Sequence, residues 1–161
     1  MTILVDSREK HPWAFPENVR LVPRSTIRQG DYALEGDGTF SIERKSLKDF
    51  RNTVAGKAAA WERFVRELRR MDEVGCPQKV VIVEGNVEDY LFKEVRNEAG
   101  IVVNVREPEC DADPVFLLSR VAELSVIYRT AVLFAADEAV AAALAYHVFC
   151  KRMVQLGGKI K

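Results

Sequence analysis

Between Tyr32 and Lys45 apolar and polar residues alternate on both sides of Gly36-Asp37-Gly38, and this constrains the fold more than any other stretch. Period-two alternation around a glycine-rich turn is the signal of a β-hairpin. A three-residue loop sets Glu35 opposite Thr39, Ala33 opposite Ser41, and Asp31 opposite Glu43. Tyr32, Leu34, Phe40 and Ile42 then share one face, while Asp31, Ala33, Ser41, Glu43 and Lys45 share the other. A two-residue loop slips the register by one, sets Leu34 against Ser41 and mixes the faces. The odd loop, with Gly38 in a left-handed conformation, is therefore predicted.

The rest of the chain supplies layers for that hairpin. Thr2 to Val5 reads as a buried strand and Val19 to Val22 as a second one, separated by a loop containing His11-Pro12-Trp13 and Pro16. From Leu47 to Met71 the pattern turns helical, with Trp61, Phe64, Val65, Leu68 and Met71 as a core stripe and a possible break at Gly56. Lys79 to Val83 reads as a buried strand, and Val87 to Val95 as a helix. The stretch 97–113 reads as a loop with a short strand at Ile101 to Val105. Pro114 opens a helix to about Tyr128, Ala131 to Phe134 is the last strand, and Asp137 caps the last helix. Strands alternating with helices imply an α/β layered fold.

At 161 residues, one domain spanning 1–161 is the simplest organisation. Lys plus Arg and Asp plus Glu number 24 each, so any basic surface for a polyanion must be local. Cys76, Cys110 and Cys150 show no metal-ligand spacing and read as thiols of a reducing compartment. No signal sequence opens the chain, and the apolar stretch from Ala139 to Cys150 is too short to span a bilayer. A soluble, intracellular protein of the cytoplasm with no membrane association is expected.

The polar hairpin face carries the chemistry. A phosphodiester yields to water only if that water is activated and the developing charge is neutralised, and a bound Mg²⁺ or Mn²⁺ can do both through oxygen ligands. Asp31 and Glu43 on adjacent strands could share one such ion, and Lys45 lies on the same face. Its ammonium could hold the attacking water or steady the phosphorane. Asp6 and Glu9, at the end of the first strand, could extend the ligand set. Spacing alone leaves another reading open. Acids and bases alternate on solvated sheet faces, an exposed Glu43–Lys45 pair contributes little, and Asp6 could simply cap its turn.

The ordered string Gly30-Asp31, Glu43-Arg44-Lys45 and Asp49 resembles the signature of the XPF-type structure-specific nucleases, a branch of the PD-(D/E)xK superfamily. Val5-Asp6-Ser7-Arg8-Glu9 is similar to that family's opening strand, Ile82-Val83-Glu84-Gly85 to its central strand, and Ala131 to Cys150 to its final strand and helix. The resemblance implies a restriction-endonuclease-like three-layer domain, a central mixed β-sheet flanked by helices. It implies Asp31 and Glu43 as ligands of the divalent ion, joined by the Arg44 carbonyl and by Asp6. Lys45 would be the catalytic lysine, with Asp6, Arg8 and Glu9 completing an acidic pocket. Arg44 and Asp49 would support it, and could pair with each other. It further implies cleavage of branched or flapped DNA near single-strand/duplex junctions, and a homodimer. The chain ends at Lys161 with no tandem helix-hairpin-helix module and no helicase. It therefore looks like a stand-alone microbial or phage form, which could rely on a helicase or DNA-binding partner in trans. A catalytically silent DNA-binding or scaffolding subunit, and a restriction-type enzyme on plain duplex, are the alternatives.

Further candidates are weaker. Arg63, Arg66 and Arg70 could form a DNA track on the helix behind Trp61, or its solvated face; Arg24, Arg28 and Lys10 are comparable candidates in loops near the acids. Trp13 and Phe15 read as core anchors of their loop rather than as base-stacking residues. The last helix is apolar nearly all round, which implies a second covered face, read as a homodimer contact.

Overall fold

The computed structural model describes residues 1–25, 27, 30–87, 93–105 and 114–158, with Arg24, 93–96, 102–105 and Pro114 described in backbone only. The hairpin forms in the expected register. Strands β3 (Tyr32–Leu34) and β4 (Phe40–Ser46) pair antiparallel with Tyr32 opposite Ile42. The turn differs in one detail. Its left-handed residue is Gly36, at φ +83°, rather than Gly38. The Asp37 N–H donates to the Leu34 carbonyl at 3.1 Å, closing a turn whose third position is Gly36.

β1 (Thr2–Asp6) pairs antiparallel with β3 on the outer side and parallel with β2 (Arg20–Ser25). β2 is an edge strand, and its register slips by one residue around Pro23, as a proline in a strand requires. On the other side β4 pairs parallel with β5 (Gln78–Glu84), and β5 parallel with β8 (Thr130–Ala135). The sheet thus has six strands in the order β2-β1-β3-β4-β5-β8 and is mixed. Residues 93–95, expected in a helix, lie instead in β6 (Lys93–Arg96), which pairs antiparallel with β7 (Val102–Val105) in a separate ribbon. The remainder of that expected helix, at 88–92, lies outside the described residues. A lone amphipathic stretch does not distinguish a short helix from a ribbon strand.

Helices cover both faces. α1 (Leu47–Val54) and α2 (Ala58–Glu73) are separated at Gly56, and with α3 (Pro114–Val126) they lie on the front face. There Phe50, Phe64, Leu68, Val81, Val83 and Leu124 form one core. α4 (Glu138–Gln155) covers the back, where Ala141, Ala145 and Phe149 meet Ile3, Tyr32 and Ile42. The apolar hairpin face is therefore the back face. α4 begins as expected, with the Asp137 carboxylate accepting from the Val140 N–H at 2.8 Å. Its outer residues Val140 and Val154 are about half exposed, at 46% and 51%. Trp13 is fully buried, a core anchor as its sequence context implied. Cys76 and Cys150 are buried free thiols; Cys110 lies outside the described residues. Among the described residues no helix is long and apolar enough to cross a membrane.

Candidate active site

On the front face, α2 covers β5 but leaves the polar side of β3 and β4 open. A cleft of about 570 Å³ results. Gly30, Asp31, Ser41, Glu43 and Lys45 line the sheet side; Ala60, Arg63, Phe64, Glu67 and Arg70 line the α2 side. Strand alternation explains the first set, because the residues at 41, 43 and 45 leave β4 on one face. Helical spacing explains the second, since positions 60, 63, 67 and 70 share one row of α2.

Asp31 and Glu43 converge here, as the register predicted. The Arg44 backbone N–H donates to Asp31 Oδ2 at 2.8 Å. Burial, followed by the charge of Glu43, pushes the Asp31 carboxyl up to about 7 despite that hydrogen bond. Two half-buried acids facing one cleft leave negative charge that a cation would neutralise. Lys45 Nζ sits 3.1 Å from Glu43 Oε1 and 5.1 Å from the Phe64 ring centroid, with 15% of its side chain exposed. The preceding glycine is required by close approach. Gly30 has φ +73°, and a Cβ there would lie 2.9 Å from the Ile42 carbonyl oxygen.

Asp6 is buried opposite Asp31, its N–H donating to the Asp31 carbonyl at 2.9 Å. Its carboxylate is engaged by Arg8, whose backbone N–H and Nε both donate to Oδ1, at 2.9 and 2.7 Å. Burial opposes ionisation of Asp6, but the Arg8 bonds prevail and lower its pKa. Arg8 itself lines the cleft, where the charges of Asp31 and Glu43 also favour its charged form. Among the described residues no three or more His, Cys, Asp or Glu side chains gather as a metal cage. The acid pair alone suits Mg²⁺ or Mn²⁺, which keep several waters and need only one or two carboxylates plus substrate phosphate.

Two expectations are corrected. Arg44 and Asp49 do not pair. Residue 44 leaves β4 on the back face, where its guanidinium bonds Glu84 at 2.8 Å and Glu138 at 3.1 Å and lies 3.8 Å from Glu9. Asp49 is exposed at the start of α1, where its N–H and carboxylate exchange hydrogen bonds with the Ser46 hydroxyl at 3.1 and 2.8 Å. Asp49 sits in the first turn of α1, whose N-cap is Ser46, and does not line the cleft.

Of the basic candidates, Arg63 and Arg70 line the cleft, whereas Arg66 and Lys10 are exposed and do not. The Arg24 side chain and Arg28 lie outside the described residues. Glu67, Thr53 and Lys79 line the cleft without having been read as site residues. The row of Arg63, Glu67 and Arg70 on one helix could have pointed to Glu67. Lys79, in an apolar strand, is 4% exposed and pairs with Asp72; its register partner Ser41 could have placed it.

The ERCC4 domain family model matches residues 5–148. Among solved structures, XPF from Aeropyrum pernix superposes with a TM-score of 0.63 at 19% identity, covering 91% of this chain and 63% of that one. The structure titled as the same archaeal XPF in complex with DNA gives a TM-score of 0.65 at 18% identity, with 96% and 65% coverage. The chain thus spans a little under two thirds of those proteins. Comparison with curated proteins gave no match. A family model matching residues 5–148, over a six-stranded mixed sheet whose fold is that of the archaeal XPF structures, shows that this chain belongs to the ERCC4 domain family.

Proposed function

We propose that this protein is a divalent-cation-dependent DNA endonuclease that hydrolyses phosphodiesters in branched, flapped or forked DNA. One observation carries the reading: Asp31 and Glu43 meet beside Lys45 in a cleft whose opposite wall presents Arg63 and Arg70. Family membership supports DNA hydrolysis, and the solved relative in complex with DNA supports DNA as the partner.

Asp31 and Glu43 would hold Mg²⁺ or Mn²⁺, with the Arg44 carbonyl as a further oxygen donor. The cation supplies charge neutralisation and water activation at the scissile phosphate. Lys45 orients the attacking water or stabilises the charge that develops on the phosphoryl oxygens. Arg63 and Arg70, a seven-residue step apart on α2, lie roughly 10 Å apart along the helix axis. Both guanidiniums stand on one wall of the cleft, where they would hold phosphates of the bound strand. Arg8 would hold the remaining phosphate charge from the β1 side. A homodimer through the outer face of α4, a helicase or DNA-binding partner in trans, and an intracellular setting complete the proposal.

The test is cleavage of labelled flap, fork, splayed-arm and plain duplex DNA with Mg²⁺, with Mn²⁺ and with chelator, with Asp31→Asn and Lys45→Ala as controls. Cation-dependent cutting confined to junction-bearing substrates, lost in both variants, is the expected result. Cutting of plain duplex at a fixed sequence would replace the reading with a restriction-type enzyme. Absence of any cation-dependent cutting, with DNA binding retained, would replace it with a silent subunit.

A further inference from the structure

Behind the cleft, on the opposite face of the sheet, lies a charged cluster around Arg44. Glu84 ends β5, and its Oε1 accepts both from the Trp13 indole N–H at 2.6 Å and from Arg44 Nε at 2.8 Å. Trp13 is fully buried and stacks on Tyr32, ring centroids 4.6 Å apart and planes 8° apart. The Arg44 guanidinium lies 5.2 Å from the Trp13 ring centroid and donates to the His11 carbonyl. Arg44 and Glu84 expose only 14% and 18% of their side chains, so this pair is held in a geometry that an exposed pair would not keep.

The segment gripped here is the one that leaves the cleft. Residues 6–9 form a turn, with the Glu9 N–H donating to the Asp6 carbonyl at 3.1 Å, and Arg8 extends from it into the cleft. The chain then crosses the end of the sheet to Trp13 on the back face. Arg44 joins the two sides. Its N–H holds the Asp31 carboxylate in front, while its guanidinium holds the 9–13 segment behind.

We propose that Glu84 is a positioning residue, which fixes the Arg8-bearing turn over the acid pair by clasping Trp13 and Arg44 from the far face of the sheet. The inference rests on the nuclease reading for its kinetic consequence, but not for its structural one. Glu84→Gln keeps an acceptor for the indole and removes the charge opposite Arg44. Trp13→Phe keeps the ring stack and removes the indole donor, and it serves if the first variant does not fold.

The experiment pairs backbone hydrogen exchange on the full chain with cleavage kinetics on the substrate that the wild type cuts best. Exchange over residues 7–13 should rise about tenfold in Glu84→Gln, and less in Trp13→Phe, while 40–46 stays unchanged. The turnover number should fall about tenfold with KM little altered. Combined with Arg8→Gln, Glu84→Gln should add little further loss, because both changes remove one contribution. Unchanged exchange at 7–13 in both variants, or multiplicative losses in the double variant, would overturn the proposal. If the wild type cuts nothing, the nuclease reading fails and the exchange measurement alone decides the clasp.

Discussion

At the scale of single residues, the acid pair stores the tension of the site. Asp31 is held near a second carboxylate with its pKa raised from 3.8 to about 7, so the folded state binds that proton more tightly than the unfolded chain. A group raised in this way stabilises the fold fully below about pH 4, and the contribution is lost as pH rises through about 7. In chelator at pH 8, Asp31→Asn should therefore be more stable than the wild type by roughly 1–2 kcal/mol, the usual exchange of stability for function. The difference should shrink as pH falls through that window and vanish only below about pH 4, and urea titrations at pH 8 and near pH 4 test it. Cation affinity measured by calorimetry should rise from pH 5.5 to 7.5, as the proton stops competing. Lys45→Ala should lower the turnover number by about 10²–10³-fold while DNA still binds. These residues were legible in the sequence because strand alternation alone puts them on one face. The raised pKa was not legible, since it depends on how deeply Asp31 is covered.

Among the elements, β4 is the one through which the site is assembled. Its odd-numbered residues from Ser41 to Lys45 face the cleft, while Ile42 and Arg44 face the back, so one strand serves both the chemistry and its scaffold. Alternation already implied that Arg44 and Lys45 point apart. What alternation could not supply was the set of acids waiting behind, because Glu9, Glu84 and Glu138 come from three separate segments. The hairpin is anchored at its other end by a second buried pair. Arg152 on α4 donates to Asp37 in the turn, Nε to Oδ2 at 2.7 Å and Nη2 to Oδ1 at 3.2 Å, with Gln78 and Gln155 accepting from Nη1. Arg152→Met leaves Asp37 buried without its charge partner and should cost about 3–5 kcal/mol in denaturant unfolding. Adding Asp37→Asn should recover part of that loss, because the orphaned charge is then gone. The misread stretch at 93–95 belongs to a separate two-stranded ribbon, whose pattern alone does not fix its pairing.

For the whole molecule, charge is the telling quantity. The chain is neutral, 24 basic against 24 acidic residues, yet Arg8, Lys45, Arg63, Arg70 and Lys79 all line one cleft. Glu67, Asp31 and Glu43 offset part of that positive charge. Few phosphates can then be neutralised, and log K for DNA should fall with log salt at a slope of only about −2 to −4. Arg63→Gln and Arg70→Gln should each reduce that slope by about one, whereas Arg66→Gln should leave it nearly unchanged. Fluorescence anisotropy in Ca²⁺, across a salt series, separates these outcomes.

By itself, the sequence determined the layered fold, the hairpin register and the shared face of Asp31, Glu43 and Lys45, because each follows from short-range periodicity and turn chemistry. Periodicity reports which way a side chain leaves its own element. It says nothing of which element lies opposite. The tertiary structure alone decided that Arg63 and Arg70 face the cleft while Arg66 does not, and that Glu84 and Trp13 stand behind the acids. Those contacts join residues distant in the chain, and only the order of strands in the sheet brings them together.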